Sequence, residues 1–181
     1  MALARIDDGG SSLMSEITPS SSTQYLGRKL APFNPINIAC AILALEMLDV
    51  KSMSSGSVLY DLGCGDGRVL MEACKINIGV RAVGVEYDVN LCERARGNIN
   101  MNGYSSRVTV LHANVMNADI ADASAVFVYL VPEGIRAIEE ILLSALDRNV
   151  KIVTYVFSIP NITPTRVVIY KGSTKLYLYS R

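Results

Sequence analysis

Three glycines alternate in a short loop that also carries two acids, and this loop is the first candidate for chemistry. Gly63, Gly65 and Gly67 follow an apolar run directly, with Asp61 and Asp66 beside them. Glycine lets the chain turn sharply and lets a ligand come close to main-chain N–H groups. The two carboxylates favour a ligand with positive charge, such as an amine or a sulfonium, and disfavour a pyrophosphate. The loop therefore predicts a site for a cationic small molecule.

An acid at the end of the next apolar run makes the loop more specific. Glu86 lies 25 residues after Asp61, where its carboxylate can accept hydrogen bonds from two ribose hydroxyls. A nicotinamide or flavin site would have a third glycine at position 68, and the chain has Arg68 there. These residues predict a nucleoside ligand that is not a dinucleotide.

Alternating strands and helices must position this loop. The apolar runs predict strands over 57–62, 80–86, 108–111, 124–130, 150–157, 165–170 and 175–179. The first predicted helix runs to about residue 49 and has Asn34 as its N-cap before Pro35. Further helices are predicted over 68–77, from Asp88 to 102 and from Pro132 to about 146. This alternation is typical of an α/β fold with a Rossmann-like, mostly parallel seven-stranded sheet and helices on both faces.

The two ends of the chain depart from this pattern. The last two predicted strands are joined by a short turn with Gly172, so they predict a C-terminal antiparallel hairpin. Residues 1–22 are rich in serine and glycine and predict a flexible tail before one domain over 23–181. Ligands of such sheets bind where the parallel strands end, which here means Asp61, Glu86 and Tyr129.

The sequence Asp-Leu-Gly-Cys-Gly-Asp-Gly over 61–67, followed by an acidic strand end, resembles the S-adenosylmethionine-binding core of class I methyltransferases. The resemblance covers roughly residues 30–181. Together with Pro-Phe-Asn-Pro over 32–35 and Arg68, it is also similar to the small protein-lysine methyltransferases that modify the adenine nucleotide translocase or the ATP synthase c subunit. The membrane anchor of the mitochondrial members has no counterpart in this sequence.

The resemblance implies S-adenosyl-L-methionine as the cofactor and assigns roles to particular residues. The glycine loop matches the part around the methionine moiety, Glu86 matches the ribose acceptor, and Tyr87 can lie against the adenine. Asn114 stands where the family usually has an acid that accepts from the adenine amino group. The full set of implied cofactor-binding residues is Asp61, Gly63, Cys64, Gly65, Asp66, Gly67, Glu86, Tyr87, Asn114 and Val115.

The end of the fourth predicted strand lies beside the methyl group in this family. Tyr129 to Pro132 read Tyr-Leu-Val-Pro, not the Asn-Pro-Pro-Tyr of enzymes that methylate DNA bases and glutamine amides. We expect an alkyl amine to bind between Tyr129, Pro132, Phe33 and Asn34. His112, the single histidine, is expected not to act as a base, and four cysteines without paired spacing predict no metal site.

Charge and composition leave several functions open. The sequence has 17 basic residues (lysine and arginine) and 17 acidic residues (aspartate and glutamate), which argues against a surface built mainly for nucleic acid. Residues 148–181, however, contain six basic residues and no acidic one. That basic, aromatic hairpin could bind RNA, or it could be one solvated edge of the sheet. A protein lysine is the expected substrate. A small molecule, an RNA base, and a non-catalytic scaffold role remain alternatives, and the oligomeric state is undecided.

The sequence also predicts a location inside the cell. No apolar run reaches the length of a membrane span, and the cysteine pattern is typical of reduced thiols. We expect a cytoplasmic protein, and the family resemblance also allows a mitochondrial one.

Overall fold

The structure, a computed structural model, describes residues 33–181. The sequence predictions for residues 1–22 and for the start of the domain at 23 lie outside these residues. The strands are β1 Val58–Leu62, β2 Arg81–Glu86, β3 Val108–His112, β4 Ala125–Val128, β5 Lys151–Tyr155, β6 Arg166–Tyr170 and β7 Thr174–Tyr179. The α-helices are α1 Ile38–Met47, α2 Arg68–Ile76, α3 Val89–Met101, α4 Pro132–Ala137 and α5 Glu139–Asp147. Short 3₁₀ turns lie at Val50–Ser52 and Val115–Asn117.

All seven strands form one sheet in the order β3-β2-β1-β4-β5-β7-β6. The first five strands along the chain are parallel, and β7 is antiparallel to both β5 and β6. The predicted fold class and the C-terminal hairpin are therefore confirmed. The strand order reverses between β2-β1 and β4, which is the switch point where such sheets bind ligands.

Helices cover both faces of the sheet. On one face, side chains of α1 and α2 pack with Leu59 and Val153, and α3 packs over β2 and β3. On the other face, α4 and α5 pack on Tyr60 and Ile152. The central strands β1 and β4 are buried along their whole length, as apolar strands of a parallel sheet must be. A rigid core thus holds the carboxyl ends of β1, β2, β4 and β5 in place.

The first helix starts later than the sequence predicted. Asn37, not Asn34, is the N-cap of α1, and its side chain accepts a hydrogen bond from the N–H of Ala39. Residues 33–37 form an extended entry segment before the helix, and Ile36 in that segment is buried. An Asn-Pro pair alone could not distinguish the two caps, because tertiary contacts of Ile36 and Asn34 hold the segment extended.

The helix predicted from Pro132 is two helices. α4 and α5 meet at Ile138, whose φ of −112° departs from helical geometry and whose N–H donates to the carbonyl of Ile135. The predicted apolar stripe nevertheless faces the core as expected, since Ile135, Ile138, Leu142 and Leu146 are all buried. The break at Ile138 interrupts the helix without changing which face is buried.

Within residues 33–181, no helix is both long and apolar enough to cross a membrane.

Candidate functional site

A cavity of about 560 Å³ opens at the carboxyl ends of β1, β2, β4 and β5. Its volume lies within the range of small-molecule sites, roughly 300–1,000 Å³. Of the predicted cofactor-binding residues, all except Gly67 line it. Of the four residues expected to surround the acceptor amine, all except Pro132 do. One side is acidic and the other aromatic. We call them the acidic half, built by the ends of β1 and β2, and the aromatic half, built by the ends of β4 and β5.

The glycine loop of the acidic half is bound tightly to β2. The N–H groups of Gly63 and Cys64 donate to the carbonyl of Val85, at 2.8 and 3.1 Å. The N–H of Gly65 donates to Glu86 Oε2 at 2.9 Å. These three N–H groups therefore already have acceptors within the protein, and the predicted close approach of a ligand to the loop stays a prediction. The loop offers a ligand carbonyl and carboxylate oxygens, which suit positive charge.

Close approach explains why the loop needs glycine at position 65. Gly65 has a φ of +55°, and a Cβ atom there would lie 2.7 Å from the ring of Phe33. The entry segment thus packs directly on the loop, and Arg94 lies over the outer side of the Phe33 ring, 5.7 Å from its centre. Any side chain at position 65 would displace this cover of the cavity.

Glu86 is oriented by two main-chain donors. Besides the N–H of Gly65, its carboxylate accepts the N–H of Asp88 at 2.8 Å, through Oε1. Each carboxylate oxygen keeps acceptor capacity, because an ionised carboxylate has about four lone-pair sites. Glu86 can therefore accept the two hydroxyls of a ribose while the backbone fixes its direction.

Asp61 is the most deeply buried acid of the cavity wall, at 2% exposure. Burial raises the pKa of its carboxyl well above the ordinary value, and the neighbouring charges of Glu86 and Asp66 raise it further. A buried carboxylate among other acids is costly unless a positive group joins it. The acidic half is thus prepared for a cationic ligand.

Asp66 forms an ion pair with Arg68, the residue that stands where a dinucleotide-binding loop has its third glycine. Arg68 donates to both carboxylate oxygens of Asp66, at 2.9 and 2.6 Å, and to the carbonyl of Ile36 at 2.9 Å. Burial alone would raise the pKa of Asp66, but the hydrogen bonds and charge of Arg68 outweigh it and hold that pKa below its ordinary value. Arg68 therefore ties the entry segment to the loop, a role that the sequence did not reveal.

Gly67 and Pro132 lie outside the cavity wall, for structural reasons. Gly67 caps α2 with a φ of +79°, and a Cβ atom there would meet Ala95 of α3 at 3.3 Å. Pro132 begins α4 one residue beyond Val131, which does line the cavity. Gly67 serves helix packing, and Pro132 starts a helix.

Cys64 borders the cavity as a buried thiol. Burial raises the pKa of this thiol, and the nearby charge of Asp61 raises it further. Its sulfur packs against β2 at Gly84, where a Cβ atom would lie only 2.5 Å from it. Cys64 is therefore a packing residue of the wall with no tendency to ionise.

The end of β3 closes the acidic half. Asn114 and Val115 line the cavity with Tyr87 and Leu91. The side-chain oxygen of Asn114 accepts the N–H of Met116 at 3.0 Å, as an N-cap. That oxygen has a second lone pair, so Asn114 can still accept from an adenine amino group.

The aromatic half is assembled from distant parts of the chain. Tyr129 after β4 and Tyr155 at the end of β5 meet edge to face, with ring centres 4.7 Å apart at 86°. Asn34 of the entry segment donates from Nδ2 to the Tyr129 hydroxyl oxygen at 3.2 Å. Burial, followed by a hydrogen bond with Cys40, raises the pKa of Tyr155 to about 12, so its hydroxyl stays neutral. Phe157 continues this wall toward the solvent.

Sequence reasoning missed the contribution of β5 and β7. Tyr155, Val156, Phe157 and Thr174 all line the cavity. The signal was present, because β5 was predicted as a parallel strand and its carboxyl end must lie on the same edge. Val156 adopts a φ of 70°, which is unusual for a β-branched residue and marks a strained bend at the cavity.

His112 lies outside the cavity wall. Its Nε2 is 3.0 Å from the carbonyl oxygen of Tyr87, and the ring is exposed. Across residues 33–181, no group of three or more His, Cys, Asp or Glu side chains could hold a metal ion. The cavity wall therefore offers carboxylates, tyrosine hydroxyls, the amides of Asn34 and Asn114 and backbone carbonyls, and its described residues include no histidine.

Comparisons with known proteins agree with this geometry. A sequence model described as ANTKMT methyltransferase domain matches residues 61–166. A protein-lysine N-methyltransferase of Saccharolobus islandicus is 31% identical over 123 residues, which are 68% of this chain and 76% of that protein. A ribosomal protein L11 methyltransferase of Pelotomaculum thermopropionicum is 30% identical over 99 residues, but these are only 32% of its length.

A solved structure is similar over most of its length. An RNA methyltransferase from Salinibacter ruber, in complex with S-adenosyl-L-homocysteine, superposes with a TM-score of 0.75 at 31% identity and covers 81% of this chain and 93% of its own. A second solved structure is the C-terminal domain of a precorrin-6Y C5,15-methyltransferase from Rhodobacter capsulatus, which superposes with a TM-score of 0.59 at 20% identity. The match covers 84% of this chain and 94% of that domain, and it shows a shared fold alone. From the matched family model and these relatives, the chain belongs to the ANTKMT methyltransferase domain family and is an S-adenosylmethionine-dependent methyltransferase.

Proposed function

We propose that the enzyme methylates the side-chain amine of a lysine in a protein substrate. The observation that carries this proposal is the aromatic half of the cavity, where Tyr129, Tyr155 and Phe157 surround the space next to the acidic half. Among residues 33–181, no carboxylate, amide or imidazole comes from the ends of β4 and β5 into this wall. Such a wall fits an alkyl chain with a single amine better than it fits a base with several hydrogen-bonding groups.

The acidic half would hold the methyl donor. S-adenosylmethionine supplies a methyl group on a positively charged sulfur. Glu86 would accept its ribose hydroxyls, Asp61 would hold its amino group, and Asn114 with Tyr87 would receive the adenine. The carboxylates offset positive charge, and Gly65 lets the Phe33 ring pack on the loop as a cover of the cavity.

The aromatic half would prepare the acceptor amine. A lysine with a pKa near 10.4 is only about 0.1% neutral at pH 7.4, which is equivalent to roughly 4 kcal/mol of barrier. Removing the ammonium from water beside another positive charge lowers its pKa. The Tyr129 hydroxyl already accepts one hydrogen bond from Asn34, and its second lone pair can accept an N–H of the amine. Alignment and desolvation would then promote methyl transfer without a dedicated base.

An RNA substrate is the second candidate, and one observation favours it. The relative from Salinibacter ruber, 31% identical, is described as an RNA methyltransferase. Arg166, Lys171 and Lys175 also give the C-terminal hairpin a positive charge that could contact phosphates. The relative from Saccharolobus islandicus, at the same identity, supports the protein substrate.

One experiment separates the candidates. The full-length enzyme is incubated with radiolabelled S-adenosylmethionine and a cell extract, and the products are treated with protease or with ribonuclease. We expect the label to be released by protease and to appear as methyllysine after hydrolysis, and to be strongly reduced with the Tyr129→Phe variant. Label released by ribonuclease, or found only in small molecules, would refute the lysine proposal.

A further inference from the structure

We infer that the edge strand β6 is a docking site where an acidic segment of the protein substrate adds as a further strand, an inference that rests on the proposed lysine methylation. β6 is the last strand of the sheet, and among residues 33–181 no strand pairs with its outer side. Its register with β7 is unbroken from Arg166 opposite Leu178 to Tyr170 opposite Thr174. Such an edge presents unpaired N–H and C=O groups to another chain.

The side chains of β6 leave this edge open to pairing. Val167 and Ile169 point to the same face, and they are 44% and 57% exposed. Natural edge strands are usually protected by a bulge, a proline or a charge directed inward. β6 has no bulge in its register and no proline within it, and it places two exposed β-branched side chains where a partner strand would pack. An added segment with alternating apolar residues would cover them.

Charge decides what kind of segment fits. Every charged residue from 148 to 181 is basic. Lys151 and Arg181 form ion pairs with Asp49 and Asp147. Lys175 pairs with Ile169 on the exposed face of the hairpin, Arg166 begins β6 on the opposite face, and Lys171 follows the strand. In the part of the chain that the structure describes, these three side chains have no carboxylate partner. An acidic strand would supply the missing partners, whereas a basic one would be repelled.

The docking edge is continuous with the mouth of the cavity. β6 runs parallel to β5, because both are antiparallel to β7. Its last residue, Tyr170, therefore lies on the same edge of the sheet as the cavity, opposite Thr174, which lines the cavity. An added strand would be about 14 Å from β5 at a strand spacing of about 4.8 Å, which four to five extended residues can span. A segment that adds parallel to β6 has its carboxyl end at this edge, so the acceptor lysine should follow the docked segment by about five residues.

The test uses the full-length enzyme and defined substrates. One synthetic peptide has a segment of alternating valine and glutamate and a single lysine five residues beyond it. In further peptides the lysine is moved to two or ten residues, or the glutamates are changed to glutamine. Nα-acetyl-lysinamide, which has no docking segment, reports the chemistry alone. We expect kcat/KM to be highest for the acidic peptide with the five-residue spacing and at least tenfold lower for the glutamine peptide.

Variants locate the effect on β6. Ile169→Glu should lower kcat/KM for the acidic peptide at least tenfold and leave lysinamide turnover and cofactor affinity unchanged. Ile78→Glu is the matched control, since Ile78 is 85% exposed and lies between α2 and β2. If Ile169→Glu reduces the melting temperature strongly, Lys175→Glu provides the same test with an exposed charged residue.

Several results would overturn the docking site. One is an equal loss of kcat/KM for the peptide and for lysinamide, and another is no loss of kcat/KM with either variant. A third is a dimer in sedimentation that Ile169→Glu dissociates, because the edge would then bind a second copy of the chain. Faster peptide methylation by an Asp7→Asn/Asp8→Asn variant would also overturn it, because the chain's own acids would then cover β6. If the parent methylates neither peptide nor lysinamide at lysine, the proposed function itself fails.

Discussion

The two halves of the cavity use opposite means to handle positive charge. In the acidic half, Asp61 and Glu86 are fixed by burial and by backbone donors, and they can offset the charge of a bound ligand. In the aromatic half, the rings of Tyr129 and Tyr155 form a wall that supplies no opposite charge. A methyl donor must be held as a cation, whereas the lysine amine that we propose as the acceptor would have to lose its charge. On that proposal, the difference between the halves matches the difference between the two reactants.

The halves also differ in how the chain builds them. Most of the acidic half comes from two neighbouring strands and one loop within residues 61–88, and Asn114 and Val115 after β3 close it. The aromatic half brings together the entry segment, the end of β4 and the end of β5. Arg68 links the two through Asp66 and the carbonyl of Ile36. Changes in the acidic half should therefore act on cofactor affinity, and changes in the aromatic half on turnover.

The largest effect is expected at Gly65. In Gly65→Ala, the added Cβ atom would meet the Phe33 ring, and the positive φ would be strained, so affinity for S-adenosylhomocysteine should fall by roughly a hundredfold or more. Gly97→Ala is the control, because Gly97 lies in α3 with open space around it and the change should be neutral or stabilising. Calorimetric titration with the product measures both, and equal affinities would show that the loop does not contact the ligand.

Glu86→Ala should have the next largest effect. It removes two backbone contacts and the acceptor for ribose, and we expect cofactor binding to weaken by about 1.5–3 kcal/mol, the scale of hydrogen bonds to a charged group. Glu72→Ala, which removes the ion pair with Lys75 on α2, away from the cavity wall, should leave affinity unchanged. Affinity that is independent of Glu86 would place the ribose elsewhere.

Tyr129→Phe tests the other half. Loss of the hydroxyl removes the acceptor of the Asn34 bond and of the proposed amine contact, so turnover should fall about ten- to a hundredfold, equivalent to roughly 1.4–2.7 kcal/mol. Cofactor affinity should be unchanged, and His112→Ala should alter neither quantity. A Tyr129→Phe enzyme that turns over normally but binds the cofactor weakly would reverse the assignment of the halves.

The smallest effect is a pH-dependent change in stability at Asp61. Because burial raises the pKa of this carboxyl, its favourable contribution to folding is complete below the ordinary pKa near 4 and is lost as pH rises through the folded-state pKa. Asp61→Asn should therefore raise the melting temperature of the ligand-free enzyme at neutral pH by a few degrees. This advantage should fade as pH falls through the folded-state pKa and be absent below about pH 4.

The Asp61 variant should also lose cofactor affinity, because the amide cannot offset a positive amino group. Thermal melts with and without S-adenosylhomocysteine, at acidic and neutral pH, check both parts. A less stable variant with intact affinity would mean that Asp61 is held by contacts within the protein and has no role toward the ligand.

The acidic half was predictable because its determinants are local. Glycines at fixed spacing, an acid 25 residues later and an apolar strand before each of them specify both the turn and the carboxylate position. The fold followed from the same periodicity, down to the C-terminal hairpin. Gly67 was assigned to the ligand because spacing alone cannot show that its missing Cβ faces Ala95.

The aromatic half could be predicted only in part. Tyr129 stood at a strand end and was found, but its partner Tyr155 is 26 residues away and depends on the pairing of β5 with β4. The entry segment was taken as the start of a helix, since contacts of Asn34 with Tyr129 and of Phe33 with Gly65 are tertiary. Contacts between distant strands and loops leave no periodic signal in the sequence.

The pH dependence of single-turnover methylation tests the central claim most directly. If the aromatic half lowers the pKa of a lysine amine by desolvation and no residue acts as a base, the rate with saturating S-adenosylmethionine and a lysine peptide should rise steadily from about pH 6 to pH 9. His112→Ala should follow the same curve. A bell-shaped profile centred near neutrality, lost in His112→Ala, would reveal a histidine base and contradict this division of the site.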